Sequence, residues 1–195
     1  MGTIIFFINS IAVIMVLSYL ITRNNNFTPI LSKKITFSNQ LFLILVFGIF
    51  SVYGTVGGIH ILGAILNIRD LGPMIAGLFG GTIAGLGAAI IGAAYRYSVG
   101  GFTVIPCSVS TIIAGLAGGL IYFINRGRPA GVILSVCLAV LIEIIHMALI
   151  LVIAQPYAKA LTLVKQIAFP MIITNALGMG IFVFIFKSLT WERQT

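Results

Sequence analysis

Six apolar runs, at 3–21, 40–58, 73–94, 107–125, 130–154 and 166–186, fill most of this chain, and each is close to the length of a bilayer crossing. A hydrocarbon core is spanned by about 20 mostly apolar residues of helix, and inside it every backbone polar group must be satisfied within the segment. Hydrophobic residues make up 60% of the chain and charged ones only 7%, against about 25% charged in an ordinary soluble domain. A water-soluble fold has no interior large enough for that surface. The chain is therefore read as all-α, a polytopic integral membrane helical bundle forming a single transmembrane domain over 1–195. The 195 residues leave no length for a separate soluble domain.

The net charge of +8 would suggest a nucleic-acid partner in a soluble protein. Here the basic residues fall mostly in loops between apolar runs, so they report topology and the partner is the lipid bilayer. Cys107 and Cys137 both lie inside apolar runs without metal-ligand spacing, so neither a disulfide framework nor a zinc site is expected. The first run lacks a basic leader and a small-residue cleavage site, and reads as a retained span.

Topology follows from the cations. Six simple spans with the C-terminus inside place Arg69, Arg126, Arg128, Lys187 and Arg193 in the cytoplasm, five against six outside. Cytoplasmic loops ordinarily carry the excess of Lys and Arg. The third run offers a way out, because Gly77, Gly81 and Gly85 recur every four residues among Gly72, Gly80, Gly87 and Gly92. If this run breaks near Gly80-Gly81 and returns as a re-entrant helical hairpin, five true spans remain. Arg23, Lys33, Lys34, Arg126, Arg128, Lys187 and Arg193 are then inside, seven against four. Five spans plus the Gly-rich hairpin is the favoured architecture, with six spans as the alternative. A faint internal repeat also relates Ile75-Ala76-Gly77-Leu78 and Gly80-Gly81 to Ile113-Ala114-Gly115-Leu116 and Gly118-Gly119. The Gly115 and Gly119 face is a candidate for pairing across a dimer.

Polar groups concentrate between 67 and 111: Asn67, Arg69 and Asp70, then Arg96, Thr103, Cys107, Ser110 and Thr111. A guanidinium grips a carboxylate through two parallel hydrogen bonds. The chain has only three acids, Asp70, Glu143 and Glu192, so most cations lack an internal partner. Along one unbroken helix Arg69 and Arg96 would stand roughly 40 Å apart; a hairpin brings them to one face. Cys107 and Ser110, three residues apart, share a helix face from which a thiol and a hydroxyl can meet a ligand's carbonyl oxygen. No base stands near the thiol in sequence, and no catalytic residue, cofactor or metal site is expected. Glu143 and His146, also three apart, are costly at membrane depth and should point inward to a partner, with a structural hydrogen bond as the default. Asn9 and Asn175 suit interhelical hydrogen bonds, and His60 suits an interfacial position or the pocket rim.

Asn67-Ile68-Arg69 ahead of a Gly-rich run, then Tyr95-Arg96-Tyr97-Ser98-Val99-Gly100-Gly101-Phe102-Thr103, Pro106-Cys107 and Ser110-Thr111, closely resemble the membrane receptor module of LytS-type sensor histidine kinases. Phe169-Pro170-Met171, Thr174-Asn175 and Leu177-Gly178 resemble that module's last helix. The resemblance implies a five-helix-type receptor, multi-pass in the bacterial inner membrane, that senses extracellular pyruvate, and a homodimer is the expected assembly. It implies ligand-binding roles for Arg69, Arg96, Cys107 and Ser110, with Asn67, Thr103 and Thr111 beside them. Such modules are normally followed by a GAF-like domain and a histidine kinase, neither of which lies within these 195 residues. The isolated module is thus expected to be a sensor, not an enzyme. The alternative is the substrate-binding membrane subunit of a vitamin or metabolite importer, also a Gly- and Ala-rich helical bundle.

Overall fold

A computed structural model describes residues 2–23 and 36–192. Asn24, Asn25, Asn26, Lys33, Lys34 and Arg193 lie outside the described residues, as do the side chains of Trp191 and Glu192. The elements are α1 (Gly2–Arg23), α2 (Phe37–Val56), β1 (Ile59–Ile61), β2 (Ala64–Leu66), α3 (Leu71–Val99), α4 (Val104–Ile124), α5 (Val132–Ile153) and α6 (Tyr157–Glu192). All six helices are long and apolar enough to cross a membrane. Their outer faces carry exposed Ile8, Ile49, Phe123, Ile133, Val152 and Phe169, as a lipid-facing bundle requires.

α3 is not one rod. Gly81 has φ 80° and ψ −174°, outside helical space and in a region that glycine occupies at little cost, so the helix divides into arms 71–80 and 82–99. Eight residues of unbroken helix would separate Gly77 from Gly85 by roughly 12 Å. Instead, a Cβ built on Gly85 would lie 2.8 Å from the Gly77 Cα. Ser51 of α2 similarly meets both Gly72 in the first arm and Gly92 in the second. The arms therefore lie against each other.

α4 packs into the same junction through its own glycines. Gly77 abuts the backbone of Gly115, Gly118 and Gly119, Gly85 abuts Gly115, and Gly119 abuts Thr82. The two segments of the faint repeat are thus packed on one another within a single chain. This corrects the expectation that Gly115 and Gly119 pair across a dimer: α3 already covers that face.

Two further differences from the sequence reading concern local structure. β1 and β2 form a small antiparallel hairpin, pairing Ile59 with Leu66, His60 with Ile65 and Ile61 with Ala64. Leu62 and Gly63 between them both have positive φ, 51° and 81°, as a two-residue type I′ turn demands. His60 is exposed on this hairpin. The stretch carrying Lys159 and Lys165, which precedes the sixth apolar run, is the first part of α6, which continues through Pro170 for 36 residues.

The core joins these elements around Phe47, Phe79, Phe182 and Phe186. The Phe79 ring meets Phe182 and Phe186 edge-on at centroid distances of 5.7 and 4.4 Å, and Phe47 meets Phe182 at 5.6 Å. α3 is thereby held against both α2 and the C-terminal helix.

Candidate functional site

The segment from β2 into α3 is shaped by Asn67. Its side-chain amide donates to the Ile65 carbonyl at 2.6 Å, and its oxygen accepts the Arg69 backbone N–H at 3.0 Å. Asn175 of α6 donates to the Asn67 carbonyl at 3.3 Å, tying that helix to the loop before α3 rather than to another helix. Gly54 of α2 faces the Arg69 backbone so closely that a Cβ there would lie 2.7 Å from the Arg69 N and Cα. The Arg69 side chain is consequently aimed inward, at the first turns of α4.

Arg69 Nε donates to Asp70 Oδ1 at 3.2 Å and to Thr111 Oγ1 at 2.6 Å, and Nη2 donates to the Cys107 carbonyl at 3.1 Å. The Asp70 carboxylate accepts from Ser110 Oγ at 2.8 Å on Oδ2, and lies 2.7 Å from Thr111 Oγ1 on Oδ1. Arg96, near the end of α3, donates from Nη1 to the Gly100 carbonyl at 2.6 Å and from Nη2 to Thr103 Oγ1 at 3.1 Å. Thr103 and Cys107 are one helical turn apart, joined by the Cys107 N–H to Thr103 carbonyl bond of 3.0 Å. Both guanidinium groups therefore converge on one turn of α4.

All of these side chains are sealed from the surface; Arg69, Asp70, Arg96, Cys107, Ser110 and Thr111 are each no more than 2% exposed. Each guanidinium still keeps one buried nitrogen without a hydrogen-bond partner, Nη1 of Arg69 and Nε of Arg96. Leaving a buried charged donor unmet is costly, so these are the places where an incoming anion gains most.

α5 closes the site from the other side. His146 Nε2 lies 3.3 Å from Cys107 Sγ, while Nδ1 is 3.5 Å from both Asp70 Oδ2 and Glu143 Oε2. The thiol thus has an imidazole beside it, contrary to the expectation that no base stands near. The pair is separated by 39 positions in the chain. The only sequence signal for it was the presence of two ionisable residues at membrane depth in α5.

Of the residues singled out from the sequence, Arg69, Arg96, Thr103, Cys107, Ser110 and Thr111 come together. Asn67 stands behind them as a brace of the Arg69 backbone. The hydroxyls of Ser110 and Thr111 are directed to Asp70, and Asp70 is the hub that the sequence reading named only as a neighbour of Arg69.

The family model described as the 5TMR of 5TMR-LYT matches residues 25–189. Sensor histidine kinase BtsS of Escherichia coli (strain K12) is 34% identical over 199 residues, covering 98% of this chain and 36% of that protein. Sensor protein LytS of Bacillus subtilis (strain 168) is 31% identical over 208 residues, covering 97% and 35%. Sensor protein LytS of Bacillus anthracis is 30% identical over 212 residues, covering 100% and 36%. The chain spans about a third of the length of these curated relatives. No solved structure matches it. The matched region is the non-catalytic membrane module of sensor proteins, so the resemblance to sensors holds and the importer alternative gains no support. With its long apolar helices, this places the chain as a multi-pass protein of the bacterial inner membrane. The chain belongs to the 5TMR-LYT family of membrane sensor modules.

Proposed function

We propose that this module receives a small extracellular carboxylate between Arg69 and Arg96, pyruvate being the compound that its family resemblance favours, and passes a conformational signal to a histidine kinase. The observation that carries this reading is the pair of buried, incompletely satisfied guanidinium groups on one turn of α4. A carboxylate supplies the acceptors that Arg69 Nη1 and Arg96 Nε lack, and the reading assigns Cys107 and Ser110 to its keto oxygen. Such a ligand shifts the protein only by binding one state more tightly than another. α6 is the route out, since Asn175 ties it to Asn67, two residues before Arg69 in the loop. A homodimer is the assembly in which such a signal is read.

Calorimetry on the protein in lipid nanodiscs, with a panel of keto, hydroxy and dicarboxylic acids, tests this directly. Pyruvate is expected to bind and to raise the unfolding temperature. Absence of heat and of stabilisation with every acid in the panel overturns the proposal.

The same reading takes α3 as a re-entrant hairpin and the remaining five helices as spans. Its support is the break at Gly81, the close approach of Gly77 and Gly85, and the seven-to-four distribution of cations. Non-helical backbone at membrane depth is tolerated when it is covered by protein, and α2 and α4 flank both arms. A topology reporter fused after Lys34 is expected to report cytoplasm; a periplasmic signal restores six spans.

A further inference from the structure

Two of the chain's three acids and one of its two histidines meet at one buried point, an uneconomical arrangement for a membrane protein unless something is held there. Asp70, Glu143 and His146 each offer one ligand atom, and these atoms all lie within 4.8 Å of one another. All three side chains are buried to within 1%. Glu143 Oε2 and His146 Nδ1 have no hydrogen-bond partner although they face each other at 3.5 Å, and His146 Nδ1 stands at the same distance from Asp70 Oδ2.

We infer that Asp70, Glu143 and His146 form a binding site for a divalent transition-metal ion of the zinc type. The two spacings from His146 Nδ1, 3.5 Å to each carboxylate oxygen, are close to what the coordination chemistry asks for, and all three ligand atoms fall within 4.8 Å. With metal–ligand bonds of about 2.1 Å in a tetrahedral shell, neighbouring ligand atoms stand about 3.4 Å apart. One imidazole with two carboxylates is a donor set that zinc accepts, and three protein ligands leave a coordination position open. Outer contacts are already in place: Ser110 donates to Asp70 Oδ2, and the far ring nitrogen of His146 faces the Cys107 sulfur. Such contacts fix the ring and carboxylate orientations of metal ligands.

A divalent cation offsets the two carboxylates around a neutral imidazole, and ionised groups at membrane depth ordinarily have such partners. Arg69 stays bonded to Asp70 Oδ1 at 3.2 Å and adds one positive charge beside the ion. The metal site is argued independently of the carboxylate reading, and its test uses no carboxylate ligand.

Tag-free protein in nanodiscs, stripped with a chelator, is titrated with zinc in competition with a chromophoric chelator. One tightly held zinc per chain is expected. Changes in outer-shell groups alone weaken metal binding by about 10- to 100-fold, so Glu143→Gln and His146→Gln are each expected to weaken it by more than about 100-fold. His60→Asn, which alters the other histidine, is expected to leave it unchanged. Cobalt in the wild-type protein should give the visible absorption of a low-coordinate ion, a readout that holds even if a variant fails to fold. Weak surface zinc only, cobalt with the spectrum of the aqueous ion, or full retention of zinc by both variants overturns the site and leaves an imidazolium bridging the two carboxylates in its place.

Discussion

Arg96→Ala is expected to abolish carboxylate binding while leaving a folded protein, whereas Arg69→Ala is expected to lose both. The two guanidinium groups look equivalent from the ligand's side and differ in what they hold up. Among the described residues, Arg96 is bonded to the Gly100 carbonyl and the Thr103 hydroxyl, both uncharged. Removing it unsatisfies two acceptors in the connection between α3 and α4. Arg69 is the cation beside Asp70, and Asp70 is buried to within 1%. Its removal strands a carboxylate in the interior, a change that ordinarily costs about 3 to 5 kcal/mol. For binding, loss of either buried charge-assisted partner amounts to about 2 to 5 kcal/mol, or roughly 30-fold to several thousandfold in Kd. Calorimetry with pyruvate and thermal unfolding in nanodiscs, run on both variants, separate the two effects. Asp70→Asn introduced with Arg69→Ala should recover stability but not binding, because it removes the stranded charge without restoring the donor. Wild-type pyruvate affinity in Arg96→Ala defeats the site.

How much of this could be read in advance depends on the range of the interactions. The spans were legible because the bilayer imposes a length on every apolar run. The break in α3 was legible because Gly80-Gly81 coincided with a charge imbalance that an unbroken helix could not relieve. The convergence of Arg69 and Arg96 followed from that break. The contact between Cys107 and His146 was not legible, since nothing local links α4 to α5 across 39 positions. The same holds for Asp70 meeting Glu143 and His146: the i, i+3 spacing in α5 shows that Glu143 and His146 share a face but not what that face meets. The small-residue face of α4 misled for a related reason. Gly115 and Gly119 announce that a backbone comes close, and the sequence does not say whose; it is the chain's own α3. The β1–β2 hairpin escaped because strands of three residues are too short to show an alternating pattern, and its turn uses Leu62 at positive φ, where Asn or Gly is the usual signal.

That packing of α3 on α4 leads to the second large effect: Gly115→Val or Gly85→Val should separate the two helices and take the ligand site with them. A Cβ on Gly115 would collide with the Gly85 carbonyl oxygen and lie 2.8 Å from its carbonyl carbon; a Cβ on Gly85 would collide with the Gly115 carbonyl oxygen and lie 2.8 Å from the Gly77 Cα. Every one of these obstacles is backbone, so no rotamer change relieves them and a helix must move. Overpacking a well-filled interior costs about 1 to 3 kcal/mol when side chains can adjust, and here the cost should exceed that range. The displaced segment matters for function as well as stability. Arg96 lies three helical turns beyond Gly85 on the same arm, and Arg69 and Arg96 share an anion only while that arm stays against α4. Gly180→Ala is the control, because among the described residues its new methyl would meet only the Val136 side chain, at 3.2 Å. The expected result is a large fall in unfolding temperature and loss of pyruvate binding in both valine variants, with Gly180→Ala close to wild type. Equal behaviour of all three would show that α3 and α4 are not held by this backbone contact, and the approach of the two arginines would then need another cause.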